Sequence, residues 1–261
     1  MALDYSVEDG VAVVRLDRPE VLNAFNDELG RATLNSVTEA SQDEAVRCMV
    51  ITGAGRAFSS GEDLAPLADS YKEGRAPELG ATLTNRYNPL IRSIRTAPKP
   101  VVAAVNGVAA GAGASIALAC DFRIASEHGK LILAFVKVGL VPDSGAIWFL
   151  TKLIGAAKAL ELGALGDPVS ADEALRLGLF NRVAPADDFE RAWKSFAAEL
   201  AAGPTRAYAL IKRLANLASE LSLDDQLDAE VEAQTDAGRT QDHLEGVMAF
   251  FEKRAPDFQG R

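Results

Sequence analysis

Short apolar runs that alternate with helical segments and end in glycine-containing turns predict an α/β protein built on mainly parallel sheets. The runs at 48–52 and 101–105 are almost wholly apolar, as strands buried on both faces are, and a further strand is expected near 122–125. Helical segments separate them, over 79–96 and from about 112, and another follows from Gly145. The chain has 261 residues, of which 48% are hydrophobic and 25% charged, a globular composition long enough for a sizeable core.

Residues 3–8 and 11–17 flank Asp9-Gly10 and read as a β-hairpin, which Pro19 ends. The spacing of Leu29, Thr33, Leu34 and Val37 predicts a helix over 26–40. Cys48–Thr52 reads as a buried strand closed by Gly53-Ala54-Gly55. The polar stretch 62–77, with its Gly and Pro, reads as a loop. A helix is expected over 79–96, stopped by Pro98 and Pro100, and then a strand over 101–105. The pattern continues with a helix from about Ala112, strands near 122–125 and 130–134, and a helix from Gly145. Ala- and Leu-rich helices are expected at 188–202 and 205–250. The composition shift at Gly203-Pro204 divides the chain into a core, 1–203, and a helical C-terminal region, 204–261.

Lys and Arg number 27 against 37 Asp and Glu, a net charge of −10, which argues against a nucleic-acid partner. Cys48 and Cys120 both lie in apolar runs, which excludes a disulfide framework and fits a reducing cytoplasm. His128 and His243 are isolated, so no metal site is expected. The opening residues Met1–Tyr5 resemble neither a secretory signal nor a transit peptide. The uncharged run 101–120 consists mostly of Ala and Gly around Asn106, which favours a strand turning into a helix over a membrane span.

Two turns after buried strands are candidates for chemistry: Phe58–Leu64 and Asn106–Ala114. Small residues let a ligand approach the backbone, and a helix N-terminus offers unpaired N–H groups. Two such amides converging on one oxygen make an oxyanion hole, although tight helix–strand packing accounts for the same glycines. In a third turn, Gly139–Gly145, Asp143 reads equally well as an N-cap acceptor for the helix that follows. Neither a nucleotide-binding glycine pattern nor the G-x-S-x-G of serine hydrolases occurs.

The segments Arg18–Ala24, Ala57–Leu64, Lys99–Gly107, Gly139–Asp143 and Phe250–Gly260 resemble, in order and spacing, those of the crotonase superfamily, the enoyl-CoA hydratases and isomerases. The resemblance covers essentially the whole chain. It implies a crotonase-like spiral of ββα repeats with a helical C-terminal trimerisation region, assembled as a homotrimer or dimer of trimers. It also implies an acyl-CoA thioester substrate, with no cofactor beyond the CoA that is part of that substrate. The backbone amides of Glu62 and Ala112 would stabilise a thioester enolate. Asn23, Ala24, Ser60, Gly61, Asp63, Leu64 and Gly111 would contact the substrate, Phe135 and Trp148 would line its acyl group, and Lys253 would meet CoA phosphates, with Arg18 and Arg254 as further candidates.

The hydratases of this family flank the substrate with two glutamates, and at those positions this chain has Ser115 and Phe135. Hydration by that route is therefore not expected. Asp143 stands where the family's isomerases, and some of its dehalogenases, place a carboxylate, and the absence of histidine from 62–112 argues against dehalogenation. One carboxylate suits proton relocation, and burial among Phe135, Val141 and Ile147 would raise its proton affinity. Tyr87–Ile91, Val108–Ala114 and Ala134–Asp143 resemble the isomerases that act on ring epoxides in phenylacetyl-CoA degradation. After Asp143 the chain departs from the family, with Ser144-Gly145-Ala146 in place of the usual glycine pair and Thr151 in place of a proline. The alternatives are a hydratase-type lyase using Glu62 or Asp63, and an acyl-CoA binder without catalysis.

Overall fold

β1 (Leu3–Glu8) and β2 (Val11–Leu16) form an antiparallel hairpin that turns at Asp9 and Gly10, both at positive φ. The computed structural model describes residues 2–75 and 77–261, so Ala76 of the expected 62–77 loop lies outside the described residues. Three strand pairs follow: β3 (Cys48–Gly53) with β4 (Ala57–Ser59), β5 (Val101–Val105) with β6 (Val108–Ala110), and β7 (Phe122–Ser126) with β8 (Lys130–Ile132). β9 (Val169–Ser170) and β10 (Arg182–Ala184) complete the set. The larger sheet has the order β1-β2-β3-β5-β7-β10 and the smaller β4-β6-β8-β9. Each successive pair therefore gives its first strand to one sheet and its second to the other, and that alternation is the ββα spiral. From β2 onward the large sheet is parallel, as the apolar runs predicted.

Burial of both faces explains why those runs lack polar alternation. Met49 and Ile51 of β3 face a core shared with Leu29 and Val37 of α1 (Asp27–Gln42). Cys48 and Val50 face the opposite way, toward Phe189, Trp193 and Phe196. Successive side chains of a strand point to opposite faces, so a strand covered on both sides needs apolar residues throughout. Both cysteines are free and buried, and burial pushes each thiol up to about 12, so neither is a ready nucleophile.

The stretch 62–77 is not all loop, for it contains the short helix α2 (Ala68–Lys72). Residues 79–96 are helical as expected, with a π turn over Leu83–Tyr87 between α3 (Leu79–Thr82) and α4 (Asn88–Thr96). The run 101–120 becomes β5, β6 and α5 (Ala112–Ala119), and no helix among the described residues is long and apolar enough to cross a membrane. Next come α6 (Ala146–Ile154), α7 (Ala156–Leu165), α8 (Ala171–Arg176) and α9 (Phe189–Ala202). The continuous helical reading of 205–250 is corrected to three helices: α10 (Thr205–Leu217), α11 (Leu223–Gly238) and α12 (Gln241–Glu252). The breaks occur where Ser222 and Thr240 accept hydrogen bonds from the amides of Asp225 and His243, which starts a new helix each time.

Glycines hold the two sheets in close contact. A Cβ at Gly107, between β5 and β6, would stand 2.1 Å from the carbonyl oxygen of Arg56. Backbone cannot yield there as a flexible side chain does, so Gly107→Ala should destabilise the protein by about 3 kcal/mol. Urea unfolding checks this: a lower midpoint with an unchanged m-value is expected.

Candidate active site

β4 and β6 are parallel neighbours, so the turns that leave their C-terminal ends lie side by side. Gly61 in the first turn has φ +94°, and a Cβ there would come within 2.9 Å of the Ala110 carbonyl oxygen and 3.3 Å of the Ala112 nitrogen. A Cβ at Gly113 would stand 2.6 Å from the Ser59 carbonyl oxygen. The packing reading and the ligand reading of these glycines are therefore one arrangement, since the packing brings the two turns together. Ala112 is the first residue of α5, so its N–H has no partner within the helix. Glu62 is pinned on both sides by Phe25, whose amide donates to Gly61 O (2.7 Å) and whose carbonyl accepts from Asp63 N (2.9 Å). Among the described residues, neither the Glu62 nor the Ala112 amide donates to another protein group. Two free amides in adjacent turns can receive one developing oxyanion.

Asp143 is tied to the same helix. Ser115 lies three residues after Ala112, one turn along α5, and its hydroxyl donates to the Asp143 carbonyl oxygen (3.0 Å). The Asp143 carboxylate accepts at Oδ1 from the Ser144 hydroxyl (2.8 Å). Its proton affinity is raised mainly by burial; the Ser144 bond opposes this and the negative charge of Glu62 adds to it. The N-cap reading of its side chain is corrected: α6 starts at Ala146 behind Gly145, and only the backbone carbonyl of Asp143 takes part, accepting from Ala146 N (3.0 Å). The expected surroundings are met only in part. Phe135 is buried, and its ring reaches within 4.0 Å of where a Cβ on Gly111 would stand. Val141, in contrast, is 78% exposed and cannot shield the carboxylate.

The other two carboxylates of the first turn are engaged. Arg86 Nη1 donates to both Glu62 oxygens (2.8 and 2.6 Å) and Tyr87 Oη donates to Oε2 (2.5 Å), while Arg86 also pairs with Asp27. These adjacent residues both reach Glu62 because they sit in the π turn, whose wider winding re-aims side chains. Asp63 pairs with Arg18 at 3.0 Å, and Arg18 also donates to the Ala24 carbonyl oxygen (2.6 Å). The contacts made by Arg86, Ser144 and Ser115 were not expected from the sequence. For Arg86 the one available signal was its place beside Tyr87 in a recognisable segment.

A protein-family model described as enoyl-CoA hydratase/isomerase matches residues 6–261. The chain belongs to the enoyl-CoA hydratase/isomerase family. It is 43% identical to the 1,2-epoxyphenylacetyl-CoA isomerase of Escherichia coli (strain K12), covering 98% of this chain and 97% of that one. It is 35% identical to the trans-2-decenoyl-[acyl-carrier-protein] isomerase of Streptococcus mutans, over 98% of this chain and 97% of the relative. The crystal structure of an enoyl-CoA hydratase from Polaromonas sp. JS666 superposes with a TM-score of 0.92 at 37% identity, covering 99% of this chain and 100% of that one. The two sheets and their spiral are thus the crotonase fold, and the family contains both isomerases and hydratases.

The remaining residues expected from the resemblance are placed as follows. In this member of the enoyl-CoA hydratase/isomerase family Asn23 is fully buried at φ +55°, and its amide donates to Ala54 O and Ala57 O, so its side chain braces the loop. Ala24 is buried, Ser60 donates to Val21 O, and Leu64 is exposed beside the first turn. Trp148 lines a cavity of about 350 Å³ with Phe149, Lys152 and Lys212, a lining that does not include Phe135, with Lys152 Nζ 3.5 Å from its ring centroid. Lys253 follows α12 at φ +56°, exposed and unpaired among the described residues, whereas Arg254 is clasped by Glu245 and Glu252. Of the three candidate cations, Lys253 alone retains a free charge.

Gly113→Ala tests the two-amide arrangement, because the new methyl must push α5 away from Ser59. Loss of one oxyanion donor costs on the order of a hundredfold in kcat. A fall of that size in steady-state turnover is expected, with the circular dichroism of the fold retained.

Proposed function

We propose that this protein is an acyl-CoA isomerase in which the Glu62 and Ala112 amides bind the thioester oxygen and Asp143 moves the proton. The observation that carries the reading is a single carboxylate of raised proton affinity on a residue whose backbone carbonyl is hydrogen-bonded to the helix whose first amide is half of the hole. The ionised Asp143 removes a proton from the carbon next to the thioester carbonyl, and the electron pair passes to the oxygen held by the two amides. Collapse of that enolate takes the proton back at another carbon of the same acyl group. A group that is base and then acid works best with a pKa drawn toward the working pH, and burial moves a carboxylate in that direction. No cofactor is needed, since CoA belongs to the substrate. The 43% identity to a 1,2-epoxyphenylacetyl-CoA isomerase supports a ring-epoxide thioester of phenylacetate breakdown as substrate, with linear enoyl-CoA chains as the second class.

The lyase alternative is less well supported, because the Glu62 and Asp63 carboxylates are each engaged by an arginine and so are not free to hold a water. Trimeric assembly, alone or doubled, is part of the proposal. Leu223 and Val231 of α11 and Leu244, Phe250 and Phe251 of α12 expose large apolar surfaces that a neighbouring subunit would cover. In that assembly Lys253 would offer its free charge to CoA phosphates, a local attraction within a protein of net charge −10.

Asp143→Asn should lower isomerisation of a 3-enoyl-CoA by about a thousandfold while leaving CoA affinity unchanged. Turnover followed by conjugated-thioester absorbance, with calorimetry of CoA binding, checks both parts, and near-wild-type turnover would sink the reading. The pH dependence has a definite sign. Asp143 must be ionised to start, and its folded pKa lies above the ordinary carboxylate value, so kcat/KM should fall as pH drops through that raised value. Lys253→Glu should weaken CoA binding about tenfold or more at low salt, and less at high salt.

A further inference from the structure

Ser144 stands at φ +52°, in the left-handed region that a residue with a Cβ seldom occupies, although glycine would enter it without strain. It is 6% exposed, and its hydroxyl makes one hydrogen bond among the described residues, to Asp143 Oδ1 at 2.8 Å. Oδ2 of the same carboxylate has no protein partner among the described residues. The Asp143 main chain is fixed separately, because its carbonyl accepts from both Ser115 Oγ and Ala146 N (3.0 Å each). Backbone and side chain are thus restrained by different donors, and only one oxygen of Asp143 is left open.

We propose that Ser144 is a positioning residue which holds Asp143 through Oδ1, so that Oδ2 is the atom that takes the proton from the substrate and returns it. The strain at position 144 is retained because glycine, which would remove it, carries no hydroxyl. The step balances without a further reactant. The C–H bond breaks, the proton goes to Oδ2, and its electron pair goes to the thioester oxygen; both return in the second half. Ser144 acts on that cycle in a second way, since a bond donated to the ionised carboxylate favours the form that starts it. The groups facing Asp143 are few. Glu62 comes from the first turn, with Arg86 and Tyr87 bound behind it; neutral Ser115 comes from α5. Lys137, in the segment that carries Phe135, pairs with Asp167 instead. Among the described residues, no cation therefore stands in for the Ser144 hydroxyl.

The inference rests on the reading of Asp143 as acid and base, so its test includes a measurement that needs no substrate. In Ser144→Gly the strain and the hydroxyl go together; in Ser144→Ala only the hydroxyl goes. Both variants should move the acid limb of the kcat profile up by about one pH unit. Both should lower the plateau kcat about tenfold with KM little changed. Thermal melting should separate them, with Ser144→Gly at or above the wild type and Ser144→Ala below Ser144→Gly. Titration of protein labelled with carbon-13 at aspartate carboxyls reads Asp143 directly, its resonance being the one missing from Asp143→Asn. An upward move of that titration in both serine variants supports the positioning role even if no isomerisation is found, in which case the isomerase reading alone fails. An unmoved titration and an unmoved acid limb would overturn the role of Ser144 and leave the isomerase reading intact.

Discussion

The close approach of two turns, with Gly61 laid against Ala110–Ala112, is the contact on which the rest of the site depends. It exists because β4 and β6 pair in parallel and end together, and because no side chain intrudes at 61 or 113. Parallel pairing also sets the start of α5 at the same edge, so the helix amides point where the first turn ends. Preorganised amides need no rearrangement as charge develops on an oxygen, which makes such a contact effective in catalysis. The spiral repeat supplies the arrangement, since each repeat places one strand in each sheet, and the first two repeats carry a glycine turn at the C-terminal end of the second strand.

Against this fixed pair of donors stands a carboxylate whose ionisation is balanced. Burial and the charge of Glu62 raise the proton affinity of Asp143, while the hydroxyl of Ser144 lowers it. The other acids nearby are neutralised locally, Glu62 by Arg86 and Tyr87, and Asp63 by Arg18. One open carboxylate and one oxyanion site make a smaller set than two acids holding a water. A proton moved within one molecule needs no more. Burial of a carboxylate opposes folding, and the left-handed Ser144 adds strain of about 1 kcal/mol. Such strain commonly gathers where a residue must be held for chemistry.

In the large sheet β3 and β5 were legible because they are buried on both faces and so carry almost unbroken apolar runs. β7 departs from this at the buried Arg123, which donates to the Leu179 and Cys120 carbonyl oxygens. Of the three-residue strands β8 was read within the stretch 130–134, whereas β4, β6 and β10 were not, because so short a strand has little periodicity and takes its identity from its neighbours. The breaks in the C-terminal helices did have a local signal in Ser222 and Thr240, but the helical composition on either side concealed it. The two glycine turns and Asp143 were visible as motifs, yet that the two turns lie against each other, so that packing and ligand approach are one arrangement, is visible only in the fold. Longer-range contacts left little signal in the sequence. Arg86 reaches Glu62, 24 residues away, from a π turn, and Trp148 lines a cavity whose lining does not include Phe135. The conformation of Ser144 is likewise set by the turn that follows Pro142 and has no counterpart in residue type.

The central claim is that this site makes and holds a thioester enolate with one carboxylate as the base. Exchange of the C2 protons of phenylacetyl-CoA into deuterated water tests it most directly, because that thioester has no double bond to move or hydrate beside its carbonyl. Proton NMR of the intact protein with this thioester should show C2 exchange far above the uncatalysed rate, abolished in Asp143→Asn. Absence of exchange, or equal exchange by that variant, would contradict the account.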